Sequence, residues 1–381
     1  MKKIIRTSTI PLSLNVFCRG LLVELSKDYE VIAVSSPGKD LDCIKEREDV
    51  KTYGVEMKRK ISPFSDLRAV WHLIKIFRKE KPDLIHSITP KAGLLTLLAG
   101  KISGVPVRIH TFTGLLFPTS HGLKRKLFKI CDKLTCKFAT HIIAEGNDVR
   151  NDLINAKVTK KNIRILGNGS LNGINTEYFK TSGDILQEAR EVREHLNANE
   201  KTIIFLYVGR LARDKGIGEL ATAFVRLRRE NPDMRLLLVG KSDEDDPIDN
   251  DIEKIIFDSK DIYFSDTWEN DIRKYYAASD VFVLPSYREG FPNSLLEAAS
   301  MKLPSIVTDI NGSREIVVHG ETGVIVPPKD EDALYLAMRE FSIKSSEMND
   351  MGDKARERVK SRYEQRFVRD KLKEFYHEVL A

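Results

Sequence analysis

The chain has 381 residues, 41% apolar and 31% charged, with a net charge of +6. That length is too great for one hydrophobic core and predicts two domains of ordinary globular composition. No apolar run approaches the roughly 20 residues that span a bilayer, and the four cysteines, Cys18, Cys43, Cys131 and Cys136, show neither C-x-x-C nor zinc-ligand spacing.

The opening MKKIIRTSTIPLS is basic but too polar for the apolar stretch of an export signal, so the thiols read as reduced and the compartment as cytoplasmic. Seven β-branched runs follow in the first half: KIIRTST, YEVIAVSS, VKTYGVEM, DLIHSIT, VRIHTFTG, HIIAEG and IRILGNG. Strands separated by helices of about 10–15 residues predict a parallel sheet covered on both faces. This half is strongly basic. Residues 1–175 hold 31 Lys+Arg against 16 Asp+Glu, and the remainder holds 31 against 40.

The basic residues gather in MKRK, in KIFRKEKP and above all in HGLKRKLFKICDKLTCKFATH. There Lys124, Arg125, Lys126, Lys129, Lys133 and Lys137 accompany a single acid, Asp132, while Leu123, Leu127, Ile130 and Leu134 recur at helical spacing. An apolar stripe beside a basic face predicts a helix lying on an anionic membrane surface. The plain alternative is a core stripe under a solvated basic face. Nucleic acid is disfavoured as the polyanion: no helix-turn-helix, KH, RRM or zinc-finger signature is present, and aromatics do not interleave with the basic runs.

Strands stop in NGINTEYFKTSGDILQEA, which sets a predicted boundary between domains 1–178 and 179–362. Six more strands follow: TIIFLYVGR, RLLLVGK, DIYFSD, DVFVLPS, SIVTD and GVIVPP. A last helix, 363–381, is expected to pack back toward the first domain. In open parallel sheets ligands sit beyond the carboxyl ends of the strands, and two such sheets predict a site in the cleft between them.

The loop YVGRLARDKGI carries Arg210 and Lys215, a pair suited to the charge of a leaving diphosphate; alone it could be a solvated basic loop. SDEDDPIDND is acid-rich but reads as a surface loop, without an Asp-x-Asp in a metal-binding context. After DVFVLPS comes YREGFPNSLLEA, with Glu289 in the loop, Asn293 or Ser294 as an N-cap, and Glu297 in the first turns of a helix. The free N–H groups and positive end of that helix suit a phosphate. Alternatively, both acids merely favour the helix start.

Together, Gly209-Arg210, Lys215-Gly216, the E-x7-E motif from Glu289 to Glu297 and the trailing VTDINGSREIVVHGETGVIVPP resemble the retaining glycosyltransferases of family 4, over nearly the whole chain. The resemblance implies the α/β GT-B fold, two Rossmann-like doubly wound parallel-sheet domains facing across a cleft. It implies that Glu289 and the N–H of Phe291 meet hydroxyls of the transferred sugar. The N–H groups of Asn293 and Ser294 would hold the diphosphate, Arg210 and Lys215 would neutralise it, and Glu297 would bind the ribose. Gly209 and Gly290 would complete the donor site, while Pro292 lacks the N–H that glycine would offer there.

The first half departs from the family pattern. STIPLSLN replaces a glycine pair and leaves Ser13 to face the phosphate. Thr113-Gly114 stands where many members have His-Gly, and His110 reads either as a sugar contact or as a histidine packed in its strand. TPKAGLL and GNGSLNGINTEYF are similar to enzymes that extend lipid-linked sugars for capsule, O-antigen or protein glycosylation. Lys91 would then meet the acceptor's phosphate at a helix start, or be an ordinary exposed lysine.

The resemblance thus implies metal-independent, retaining transfer of a hexose or N-acetylhexosamine from a UDP-linked donor to a lipid-diphosphate acceptor, at the inner face of the cell membrane. Its rivals are an epimerase or phosphorylase on the same two-domain plan, or a non-catalytic sugar-nucleotide-binding protein. A dinucleotide dehydrogenase is disfavoured, because no G-x-G-x-x-G opens a helix after a first strand.

Overall fold

The computed structural model describes residues 1–244, 246–266, 271–343 and 346–381. The chain forms two compact units: residues 1–173 with 366–381, and residues 174–365.

Unit 1 is built on strands β1 (Lys3–Thr7), β2 (Glu30–Ser35), β3 (Lys51–Gly54), β4 (Leu84–Ser87), β5 (Val107–Phe112), β6 (His141–Ala144) and β7 (Ile163–Arg164). They pair in parallel in the order β3-β2-β1-β4-β5-β6-β7. Alternation along β1 sends Ile4 and Ile5 to separate cores on opposite faces of the sheet. Right-handed crossovers place the helices Pro63–Glu80, Pro90–Ile102 and Gly122–Phe138 on one face. The other face receives the N-terminal helices and the helix Gln365–Leu380, whose Leu372, Phe375 and Tyr376 join its core. The Tyr376 hydroxyl accepts from Nη1 of the wholly buried Arg6 (2.7 Å) and lies 2.6 Å from Nδ1 of His86. Burial holds His86 far below its usual range, so its ring stays neutral and can accept there.

Unit 2 carries β8 (Ile203–Val208), β9 (Met234–Val239), β10 (Ile262–Ser265), β11 (Val281–Leu284), β12 (Ser305–Thr308) and β13 (Gly323–Val326). These are also parallel, in the order β10-β9-β8-β11-β12-β13. The run IIFLYV is covered on both faces, as a central parallel strand must be. Each such side chain contributes about 1.5–3 kcal/mol on full burial.

The units divide at 173/174 and 365/366, displaced by a few residues from the expected 178 and 362. Backbone pairing is the reason: the Ile174 amide donates to Tyr363 O and the Gln365 amide to Ile174 O, both at 2.9 Å, while Ile174 sits in the unit 2 core. Among the described residues no helix is long and apolar enough to cross a membrane.

Candidate active site

In unit 2 the strand order reverses between β8 and β11. A crevice opens at such a switch point, outside the carboxyl ends of the strands. The loop after β8 holds Gly209, Arg210 and Lys215, and the loop after β11 holds Glu289 and Gly290. The topology therefore brings together two motifs more than 70 residues apart.

Direct bonds join the two loops. Lys215 Nζ donates to Glu289 Oε1 at 2.6 Å, and Ser286 Oγ donates to the same oxygen at 2.7 Å. The Tyr287 amide donates to Asp214 O at 2.9 Å, and Arg288 Nη2 to Asp214 Oδ2 at 3.0 Å. Gly216, at φ +70°, lies so close to Pro285 that a Cβ would run into its carbonyl oxygen. Lys215 and Glu289 keep 14% and 16% of their side-chain surface accessible, enough to meet a ligand but little enough to be held in place.

Arg210 is also held. Its Nη1 pairs with Asp243 Oδ2, and its carbonyl accepts from the buried Tyr207 hydroxyl at 2.7 Å. Asp243 belongs to the acid-rich stretch expected to be a surface loop. The stretch does lie at the surface, with Ser242, Glu244, Pro247 and Asp249 exposed, but two of its acids turn inward: the Asp243 side chain is mostly buried and Asp246 accepts from the Asp214 amide at 3.2 Å. Asp245 of the same stretch lies outside the described residues. The acids after β9 thus support the cationic loop from behind.

The helix after β11 is Asn293–Ser300. Its N-cap is Pro292, with no side-chain cap bond, so neither Asn293 nor Ser294 is the cap; both supply first-turn amides instead. Phe291 turns its ring into the core against Tyr363, with centroids 5.2 Å apart, leaving only its backbone for a ligand. Glu297 is half-buried and its Oε2 accepts from the Tyr276 hydroxyl at 2.7 Å. Burial pushes Glu297 up to about 7, against the Tyr276 bond, which favours the charged form. Sequence reasoning missed Tyr276 and Ser286. A signal for the first lay in YYAASD, since a buried tyrosine hydroxyl needs a partner.

In unit 1 the order reverses between β1 and β4. Ser13 follows β1, half-buried in the short helix Pro11–Phe17. Lys91 is half-buried rather than an ordinary exposed lysine: its Nζ donates to Asp66 Oδ1 (2.8 Å) and to the Lys60 carbonyl (2.6 Å). His110 is removed from any substrate. Its ring is buried against Gly93 and Phe112 with Nδ1 2.8 Å from Ser87 Oγ, and burial lowers it to about 3. Thr113 Oγ1 donates to the Ile88 carbonyl at 3.0 Å, beside Gly114 at φ +120°.

The 122–138 helix packs Phe128, Cys136 and Phe138 on the unit 1 core and turns its leucine and isoleucine stripe outward. The side chains it buries are Asp132, Thr135 and Cys136, while Leu123 and Ile130 are 84% and 53% exposed and Leu127 and Leu134 also face outward. Lys124, Arg125, Lys126, Lys133 and Lys137 are exposed beside them, with Lys129 half-buried. The alternative of a core stripe is therefore wrong for these four residues.

The sequence matches the family model for glycosyl transferases group 1 over residues 188–358 and that for a glycosyl transferase 4-like domain over residues 14–169. It is 33% identical to the capsular polysaccharide biosynthesis glycosyltransferase CapM of Staphylococcus aureus, across 93% of this chain and 91% of that one. It is 29% identical to the Escherichia coli UDP-Gal:alpha-D-GlcNAc-diphosphoundecaprenol alpha-1,3-galactosyltransferase, across 85% and 82%. Its fold is similar to that of Anabaena HepE in complex with UDP, with a TM-score of 0.81 at 18% identity, covering 99% of this chain and 100% of that one.

Proposed function

This chain belongs to the glycosyl transferases of group 1, with a glycosyl transferase 4-like first half and the GT-B fold, and we propose that it moves a hexose or N-acetylhexosamine from a UDP-linked donor to a lipid-diphosphate acceptor with retention at the anomeric carbon. One observation carries the donor site: the β8/β11 switch point, where Lys215 meets Glu289 beside the uncapped start of the 293–300 helix. UDP is supported by its place in the galactosyltransferase relative's name and in the HepE complex, and the acceptor class by the diphosphoundecaprenol in that relative's name.

Lys215 and Arg210 neutralise the departing diphosphate, and the amides of Asn293 and Ser294 donate to its oxygens at the positive helix end. Glu289, with the backbone of Gly290 and Phe291, orients the sugar through its hydroxyls, and Glu297 accepts from the ribose. The acceptor hydroxyl attacks the anomeric carbon from the face that the diphosphate leaves. The new C–O bond forms as the old one breaks, and the acceptor's proton passes to the departing phosphate oxygen. This step needs no protein base and no metal, because the cations are side chains. In unit 1, Ser13 follows β1 as the residue expected to face the donor's phosphate, Thr113 and Gly114 follow β5 toward the acceptor, and the 122–138 helix rests on an anionic membrane at the inner face of the cell membrane.

The test is transfer from a panel of labelled nucleotide sugars to lipid-linked acceptors, with chelator present. We expect a UDP-sugar to be used with net retention and Glu289→Ala to lower kcat by about 10²–10³. An unaffected Glu289→Ala enzyme, or an inverted product, would refute the reading.

A further inference from the structure

The 63–80 helix carries more apolar surface than its core needs. Its inward residues Ala69, Val70, Leu73 and Phe77 are buried, yet Phe64, Leu67 and Trp71, at helical spacing, are 90%, 68% and 51% exposed. Arg68, Lys75 and Arg78 continue the same outward stripe, and the Lys75 ammonium stands 3.4 Å from the Trp71 ring centroid. Both acids of the helix are neutralised inward. Asp66 binds Lys91, and the buried Glu80 receives Lys3, Lys51 and Tyr53. The outward face is therefore apolar and cationic without a compensating charge from its own helix.

This helix and the 122–138 helix pack on either side of the 90–102 helix, on one face of the unit 1 sheet. Two outward stripes of one character thus share one layer of unit 1.

The geometry points to the 63–80 helix as a second, hydrophobic anchor on an anionic phospholipid bilayer. Phe64, Leu67 and Trp71 enter the boundary between headgroups and acyl chains, while Arg68, Lys75 and Arg78 meet lipid phosphates. Charge decides for lipid over a protein partner. A face without free acids suits a continuous anionic surface, and an aromatic ring flanked by cations suits the membrane interface. This inference rests on the reading of unit 1 as membrane-facing and is independent of the donor site.

Trp71 is its own reporter. The chain has two tryptophans, Trp71 and Trp268, so a Trp268→Phe protein isolates its emission. With phosphatidylglycerol-containing vesicles the emission should shift to the blue and be quenched by brominated acyl chains, whereas pure phosphatidylcholine should leave it nearly unchanged. Phe64→Ser with Leu67→Ser should weaken vesicle partition about 10-fold or more and leave UDP affinity unchanged. Co-sedimentation with anionic vesicles while Trp71 stays silent would overturn this anchor and spare the 122–138 helix. Failure of the wild-type protein to co-sediment would overturn both.

Discussion

Lys215 donates to Glu289, Arg288 to Asp214, and Arg210 pairs with Asp243, so each cation at the β8/β11 crevice is held by a carboxylate. A lysine ammonium has three donors and can bridge a carboxylate and a phosphate at once, so pairing positions the charge without consuming it. Glu297 behaves differently. Its carboxyl titrates near 7 because burial disfavours the charge, whereas an unfolded glutamate titrates near its usual 4.5. The folded state thus binds the proton more tightly, and stability falls as pH rises from about 4.5 to 7. Urea midpoints should drop between pH 5 and 8 more in the wild type than in Glu297→Gln. Donor affinity should move the opposite way and rise through pH 7, because ribose hydroxyls donate better to a carboxylate; Tyr276→Phe should displace that rise to higher pH. Equal pH profiles for all three proteins would remove Glu297 from the donor site. At this scale the E-x7-E pair and the Arg-Lys loop were legible as residue types in a recurrent spacing. Their partners were not. Tyr276 and Asp243 meet them, and Arg288 meets Asp214, only through the sheet order, and the burial of His110 and the capture of Lys91 by Asp66 depend on neighbours more than 20 residues away in the chain.

Loops, strands and helices carry the next level of constraint. All thirteen strands expected from the β-branched runs form, because strands between crossover helices are apolar throughout and so stand out. What the runs could not reveal is the reversal of order at β1/β4 and β8/β11, which is a property of the assembled sheet. The loops that meet there are in backbone contact. Gly312, at φ +77°, abuts the Gly290 carbonyl as Gly216 abuts that of Pro285. Gly216→Ala should therefore cost about 2–5 kcal/mol, from the left-handed backbone and the clash, and weaken UDP binding by separating Lys215 from Glu289. Chemical denaturation and titration calorimetry read both effects; an unchanged midpoint would show that the loops are not packed as described. The 122–138 helix teaches the complementary lesson. Its periodicity was plain in the sequence, but which stripe faces inward was not, since the inward face is Phe128, Asp132, Thr135, Cys136 and Phe138 rather than the leucine and isoleucine stripe.

For the molecule as a whole, the charge divides as the units do. The basic surplus lies in the first 175 residues and the acidic surplus after them, near the break at Gly173 and Ile174. Such a division favours one unit for an anionic surface. Replacing Lys124, Arg125, Lys126, Lys129, Lys133 and Lys137 by glutamine should weaken binding to anionic vesicles by ~100-fold or more, at about 1 kcal/mol per charge near the surface, and spare transfer to a soluble acceptor analogue. Added salt should mimic that loss in sedimentation assays; binding indifferent to both would contradict the surface role. Unit 2 has its own continuous core and its own switch point, and the proposed transfer depends on its grip on a diphosphate. The direct measurement is calorimetric titration of UDP and UMP into the wild type, Lys215→Ala and Arg210→Ala. UDP affinity should fall about 10- to 100-fold in each variant, the worth of a charged hydrogen bond, with UMP much less affected. Equal UDP affinity in all three proteins would contradict it.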